Sequence, residues 1–318
     1  MKQIISILII FIAAGIICTV AVIPINRGIA IFYSNNFDRM VEIFENKTPY
    51  DMLFIGSSRT LLNIYPRAID SVCGTNSYNA GITGARMMDY ELILKGYLTN
   101  HPAPKTLVLI IDLLSFGKKK EIRQHTEYYP FLNNGAICQT LEKYGYHPDL
   151  AKMLPFYCFT ELDDYNKENV LRILKGKGDT ALPGPTIKYK GFISILGKLK
   201  PYGISKVRYD IYDESLASLD EVIGLCRKSK IKLVFAYAPE YNFENEKLTT
   251  NSDTIFSVIS QKARANGIPF LRDDSLELCK DKDLFWNQVH LNEKGAIMYS
   301  AVIAQELKAI LSRKEPVN

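Results

Sequence analysis

The sequence predicts an α/β fold: a flavodoxin-like three-layer sandwich around a five-stranded parallel sheet, with an insertion (cap) and one N-terminal transmembrane helix. Three observations predict it. Short apolar runs alternate with amphipathic helical stretches along most of the 318 residues, the pattern of buried parallel strands joined by crossover helices. One long uncharged segment opens the chain. The alternation fails once, between Gly117 and Ser205, where Tyr, Pro and Gly accumulate. Composition agrees, since 47% hydrophobic and 23% charged residues exclude disordered, collagen-like and coiled-coil chains.

From Ile4 to Val22 no residue is charged. As a helix this stretch is about 28 Å long, enough to cross a bilayer core. It reads as an uncleaved signal anchor over residues 1–27. The run is long for the apolar region of a cleaved signal peptide, and no small-x-small site precedes Pro24 to Arg27. With so few residues before the span, the amino terminus stays inside and the remainder is exported. Residues 28–50 form a juxtamembrane linker ending in the turn Thr48-Pro49-Tyr50. The main domain then occupies 51–318, with the insertion at 117–205.

Within that domain the expected strands are Met52 to Gly56, Ser77 to Ala80, Leu107 to Asp112, Lys232 to Ala238 and Ile268 to Leu271. Helices fit Ala85 to Leu98, Glu214 to Lys230, Asn251 to Asn266 and Glu293 to Ser312. In such a sheet, functional groups gather in the loops at the carboxyl ends of the strands. The five cysteines after Cys18 show no CxxC spacing, so they read as small buried thiols rather than a zinc site or disulfide framework.

The net charge of +5 is too small to mark a nucleic-acid binder. Its distribution says more. The insertion holds 14 Lys and Arg against 9 Asp and Glu, so it carries the whole excess. That asymmetry suits contact with phospholipid headgroups or an acidic glycan; a solvated basic surface with no partner is the alternative.

Chemistry-bearing residues cluster at two places. After the first strand, Gly56-Ser57-Ser58-Arg59-Thr60 puts two hydroxyls where a strand breaks into a helix, and free N–H groups there suit a developing oxyanion. A serine helix cap explains the same residues in purely structural terms. Near the other end, Asn287-Gln288-Val289-His290-Leu291-Asn292 puts one of only four histidines just before the last helix, where it can act as a general base. Nucleotide-binding glycine loops and the HExxH zinc motif are missing from the sequence.

Together these segments resemble the SGNH (GDSL-type) hydrolase superfamily over residues 51 to about 313, interrupted by the insertion. The resemblance makes Ser58 the nucleophile and His290 the base. It implies an oxyanion hole from the N–H groups of Ser58 and of Gly84, the latter in Asn79-Ala80-Gly81-Ile82-Thr83-Gly84. Two departures stand out. Asn287 occupies the position of the family's aspartate, so it can orient the ring but supplies no charge. The family's Gly-x-Asn-Asp block is absent after the third strand, where Asp112 stands instead. Asp283, Asp273 and Asp274 are candidate substitutes for the missing acid. Arg59 either binds a substrate anion or pairs with an acidic neighbour, and pairing is the simpler expectation.

The anchor and the Gly-Ser-Ser arrangement are similar to those of the teichoic-acid D-alanyl transfer protein and of envelope-glycan acyl esterases and transferases. The resemblance therefore implies a membrane-anchored, extracytoplasmic serine esterase or O-acyltransferase acting on acyl groups of cell-envelope polysaccharide, needing no cofactor and no metal. Its partners would be the membrane, an envelope glycan or acylated small substrate, and a membrane-bound acyltransferase, with no nucleic acid. The alternative is a catalytically weak or inactive envelope protein of the same fold that binds glycan or an acyltransferase partner.

Overall fold

A computed structural model describes residues 2–33, 36–117, 121–154, 157–175, 187–199, 206–242 and 248–312. The chain divides into two compact units: Met1–Asn46 with Gln124–Leu182, and Lys47–Arg123 with Pro183–Asn318.

The first unit is helical. Helix α1 runs Lys2–Tyr33 and α2 runs Phe37–Phe44. The described side chains from Ile4 to Ile17 on α1 are exposed and mostly large and apolar. The side chains of 18, 19 and 21–25, within the expected span, lie outside the described residues. Among the described residues no helix is long and apolar enough to cross a membrane. Part of the predicted insertion joins this unit as the helices Gly135–Lys143, Pro148–Met153, Tyr157–Thr160 and Asp164–Leu174. Phe44 of α2 meets Phe131 at a ring-centroid distance of 5.3 Å, and the Asn36 amide donates to Glu127 at 2.9 Å. The stretches 118–120, 176–186 and 200–205, which carry part of the insertion's basic excess, lie outside the described residues.

The second unit holds the sheet. Its strands are β1 (Met52–Ile55), β2 (Ser77–Asn79), β3 (Thr106–Ile110), β4 (Lys232–Tyr237) and β5 (Phe270–Arg272). All neighbours pair in parallel, in the order β2-β1-β3-β4-β5. The first three strands are buried along their whole length and β4 over all but Lys232; the inner strands β1, β3 and β4 accordingly read as apolar runs. Edge strand β5 is half-exposed and begins two residues later than expected.

Helices α3 (Ser58–Asn63), α4 (Pro66–Cys73), α5 (Met87–Asn100), α6 (Asp213–Lys228), α7 (Ser252–Ala265) and α8 (Glu293–Leu311) complete the unit. Side chains alternate across a strand, and Met52, Phe54, Val108, Ile110, Val234 and Ala236 pack with Ile69 of α4 and Ala296, Tyr299, Ile303 and Leu307 of α8. Helices α5 and α6 pack on each other, touching β1 and β4 respectively. A small antiparallel hairpin, Lys188–Tyr189 with Phe192–Ile193, also belongs to this unit. Its Lys190 carbonyl accepts from the Asn79 N–H at 3.0 Å. Cys73, Cys138, Cys158, Cys226 and Cys279 are free thiols, and all but Cys73 are buried; burial pushes Cys226 up to about 12.

Candidate active site

Strand β1 ends at Ile55, and the chain turns through Gly56 and Ser57 into α3. Ser57 caps this helix by accepting from the Arg59 N–H at 3.2 Å. Ser58 is therefore the first helical residue, and its own N–H has no place in the α-helical ladder. The adjacent serines diverge. Ser57 donates to Asp112 at 2.5 Å, whereas the Ser58 hydroxyl lies 2.8 Å from His290 Nε2. Geometry thus separates a helix-capping serine from one that faces a histidine within a single dipeptide.

His290 is held by a tight turn. Phe285 and Leu291 form an antiparallel bridge, and the His290 carbonyl accepts from the Trp286 N–H at 2.9 Å. Inside the turn Asn287 Oδ1 accepts from the N–H groups of Val289 at 3.0 Å and His290 at 2.9 Å, and it lies 3.0 Å from His290 Nδ1. An amide oxygen that takes two backbone donors is an acceptor only. Nδ1 must therefore carry the ring proton, which leaves the Nε2 lone pair facing the Ser58 hydroxyl. This is the tautomer a general base needs. Burial lowers the His290 pKa to about 4; Arg59 pushes the same way and Asp112 opposes it. The ring is accordingly neutral at pH 7.

The three aspartates named as substitutes do not back this ring. Asp283 pairs with Lys198 at 3.2 Å near the surface. Asp274 pairs with Arg272 at 2.6 Å. Asp273 is buried and accepts from the Tyr299 hydroxyl at 2.8 Å; burial lifts its pKa to about 7. Among the described residues Asn287 alone stands at Nδ1. Asp112 caps a 3-10 turn by accepting from the Leu114 N–H at 3.1 Å, and besides this it accepts from Ser57. Arg59 is buried, pairs with Glu240 at 2.7 Å, lies 4.1 Å over the Tyr237 ring and donates to the Ala238 carbonyl. It is a clamp between α3 and the end of β4.

The second candidate oxyanion donor, the Gly84 N–H, is on the loop after β2. Gly84 has φ of +73°, a conformation natural to glycine. Gly81 sits so close to α3 that a Cβ would stand 2.4 Å from the Leu61 nitrogen. Among the described residues neither the Ser58 nor the Gly84 N–H donates to another group. Two asparagines that sequence reasoning did not single out as supports hold the site together. Asn79 donates to the Thr60 and Ile64 carbonyls, each at 2.7 Å, and accepts from Gly81 at 3.0 Å. Asn63 Oδ1 accepts from the Leu291 N–H at 3.0 Å, tying the helix that carries Ser58 to the residue after His290. A polar residue amid the apolar run TLLNIY was the available signal for Asn63.

No family model and no curated protein matches the sequence. Among solved structures, one described as a "putative acylhydrolase" from Bacteroides fragilis is similar to 88% of this chain and 96% of its own, at 14% identity and a TM-score of 0.42.

Proposed function

We propose that this protein is a serine-dependent acyl hydrolase or acyltransferase of the SGNH type. The observation that carries the reading is the relay Ser58 Oγ to His290 Nε2 at 2.8 Å, with Nδ1 held by Asn287 at 3.0 Å. Ser58 attacks an ester carbonyl and His290 Nε2 takes its proton. The N–H groups of Ser58 and Gly84 receive the oxyanion. The protonated ring then gives its proton to the departing alkoxide, leaving an acyl-serine that water or a sugar hydroxyl resolves.

We further propose that the apolar amino-terminal segment anchors the protein in a membrane, with the main domain outside the cytoplasm and the substrate an acylated envelope polysaccharide. The uncharged run Ile4 to Val22 and the basic segment 117–205 support this placement. A second reading, a weak or inactive glycan- or acyltransferase-binding protein, is favoured by Asn287, which brings no charge to the imidazolium. Hydrolysis of 4-nitrophenyl acetate by the wild type and by Ser58→Ala decides between them. The enzyme reading expects the serine variant to fall to the uncatalysed rate; equal rates would leave the binding protein.

A further inference from the structure

Two arginines beyond Gly84 have no part in the reaction just described. One buried carboxylate, Asp89 at the start of α5, accepts from the backbone N–H groups of both Arg86 at 2.7 Å and Arg123 at 3.1 Å. A single anchor therefore fixes where both arginines leave the main chain. Arg86 is buried; its Nη1 donates to the Leu114 carbonyl at 3.1 Å, and its Nε has no acceptor among the described residues. The Arg123 guanidinium packs on Gly84 itself, since a Cβ added there would stand 3.2 Å from Arg123 Cζ and Nε.

Among the described residues the Arg123 side chain has no acidic partner. The site's own carboxylates are committed elsewhere: Asp112 to Ser57 and Leu114, Glu240 to Arg59 and the Tyr237 hydroxyl. Beside Gly84 there is thus a half-buried guanidinium with no acidic partner among the described residues, and the same Asp89 anchor holds the main chain of a buried arginine whose Nε has no acceptor among them, so donors are left over for a ligand. The planar N–H fork of a guanidinium matches a carboxylate or phosphate better than any neutral group.

We propose that Arg123, backed by Arg86, is an anion-binding subsite next to the oxyanion hole, and that the ester cleaved here carries a carboxylate or phosphate close to its carbonyl. The proposal deepens the acyl-transfer reading and rests on it. It also separates two kinds of substrate, with the charge on the acyl half or on the alcohol half.

The test compares kcat/KM for three esters: neutral 4-nitrophenyl acetate, 4-nitrophenyl hydrogen succinate with its charge on the acyl half, and 4-acetoxybenzoate with its charge on the alcohol half. A charge-assisted hydrogen bond predicts that the wild type favours one charged ester over the neutral one by at least about tenfold. Arg123→Gln should erase most of that ratio, and Arg123→Lys should keep part of it. Taking the ratio within each variant cancels any general loss of folded protein. No preference in the wild type, or an unchanged ratio in Arg123→Gln, overturns the subsite.

If the wild type cleaves none of the three, the acyl-transfer reading is what has failed. Calorimetric titration of succinate and of inorganic phosphate into Ser58→Ala and Ser58→Ala/Arg123→Gln then judges the subsite alone. Binding lost with Arg123→Gln supports it; absent or equal binding overturns it.

Discussion

Ser58 and His290 face each other across 2.8 Å, but what surrounds each of them differs. On the Ser58 side the work is done by backbone: a strand-to-helix turn, a glycine loop seated against α3, and two N–H groups without acceptors among the described residues. Asn79 fastens that loop to the end of α3. On the His290 side the position is equally well fixed, by three donors converging on one amide oxygen, but the support is neutral. Orientation and charge compensation, combined in the aspartate of a serine triad, are here uncoupled. The contact at Nδ1 keeps the first without the second, so in the proposed reaction stabilisation of the oxyanion would carry most of the rate.

That contrast can be broken from either side. The largest effect belongs to Ser58→Ala, which removes the proposed attacking oxygen; a loss of about 10³-fold or more in kcat, measured with 4-nitrophenyl acetate, is expected by comparison with serine-triad enzymes. Asn287→Asp works on the other side. It supplies the missing charge while preserving the acceptor for all three donors, and kcat should rise by about tenfold or more.

The pH–rate profile checks the same substitution independently. With the His290 pKa depressed to about 4, wild-type activity should persist well below the usual imidazole range. Asn287→Asp should move the acid limb upward. Stability follows the same linkage. Between the unfolded imidazole value of about 6.5 and the folded one, the unfolded chain binds a proton that the folded chain does not, so wild-type stability falls as pH falls through that window.

A smaller effect is expected for Asn63→Ala. The residue touches neither reacting atom, but it ties α3 to Leu291; kcat should fall by about tenfold while KM changes little, since a displaced base costs rate rather than ground-state binding. The smallest concerns stability alone. Asp273 is a buried carboxyl with its pKa raised to about 7, so the folded state holds its proton longer than the unfolded chain. Stability is then lost as pH rises from about 4 to 7. Asp273→Asn removes that dependence and keeps an acceptor for Tyr299. Melting at pH 8 should rise by about 3 °C, with a smaller change at pH 5.

Legibility in the sequence followed the same division between local and assembled features. The three inner strands announced themselves because a strand buried on both faces is a continuous apolar run, as in Leu53–Ile55 and Leu107–Ile110. Edge strand β5 was displaced because Ile268 and Pro269, apolar in sequence, precede the ladder, which starts at Phe270. The hairpin at 188–193 has strands of two residues each, too short for any period to register. Helix α3 was expected after the first strand but without bounds, and α4 was missed, because each spans at most eight residues.

The site divides in the same way. Ser58, Asn287 and His290 stand in short local patterns that can be read directly. Asn63, Asn79 and Arg123 act on partners distant in sequence or on a loop whose path the sequence does not display. Asp273, Asp274 and Asp283 do not stand in for the acid for a physical reason: each is bonded to another residue, while among the described residues Asn287 fills the contact at Nδ1.

The central claim, that Ser58 is a nucleophile activated by His290, is tested most directly by covalent trapping. Intact and peptide mass spectrometry after reaction with a fluorophosphonate should show a single phosphonyl adduct on Ser58, formed as fluoride leaves, and His290→Ala should suppress it. An unmodified Ser58 in active-site-intact protein, or an adduct on Ser57 instead, would contradict the account.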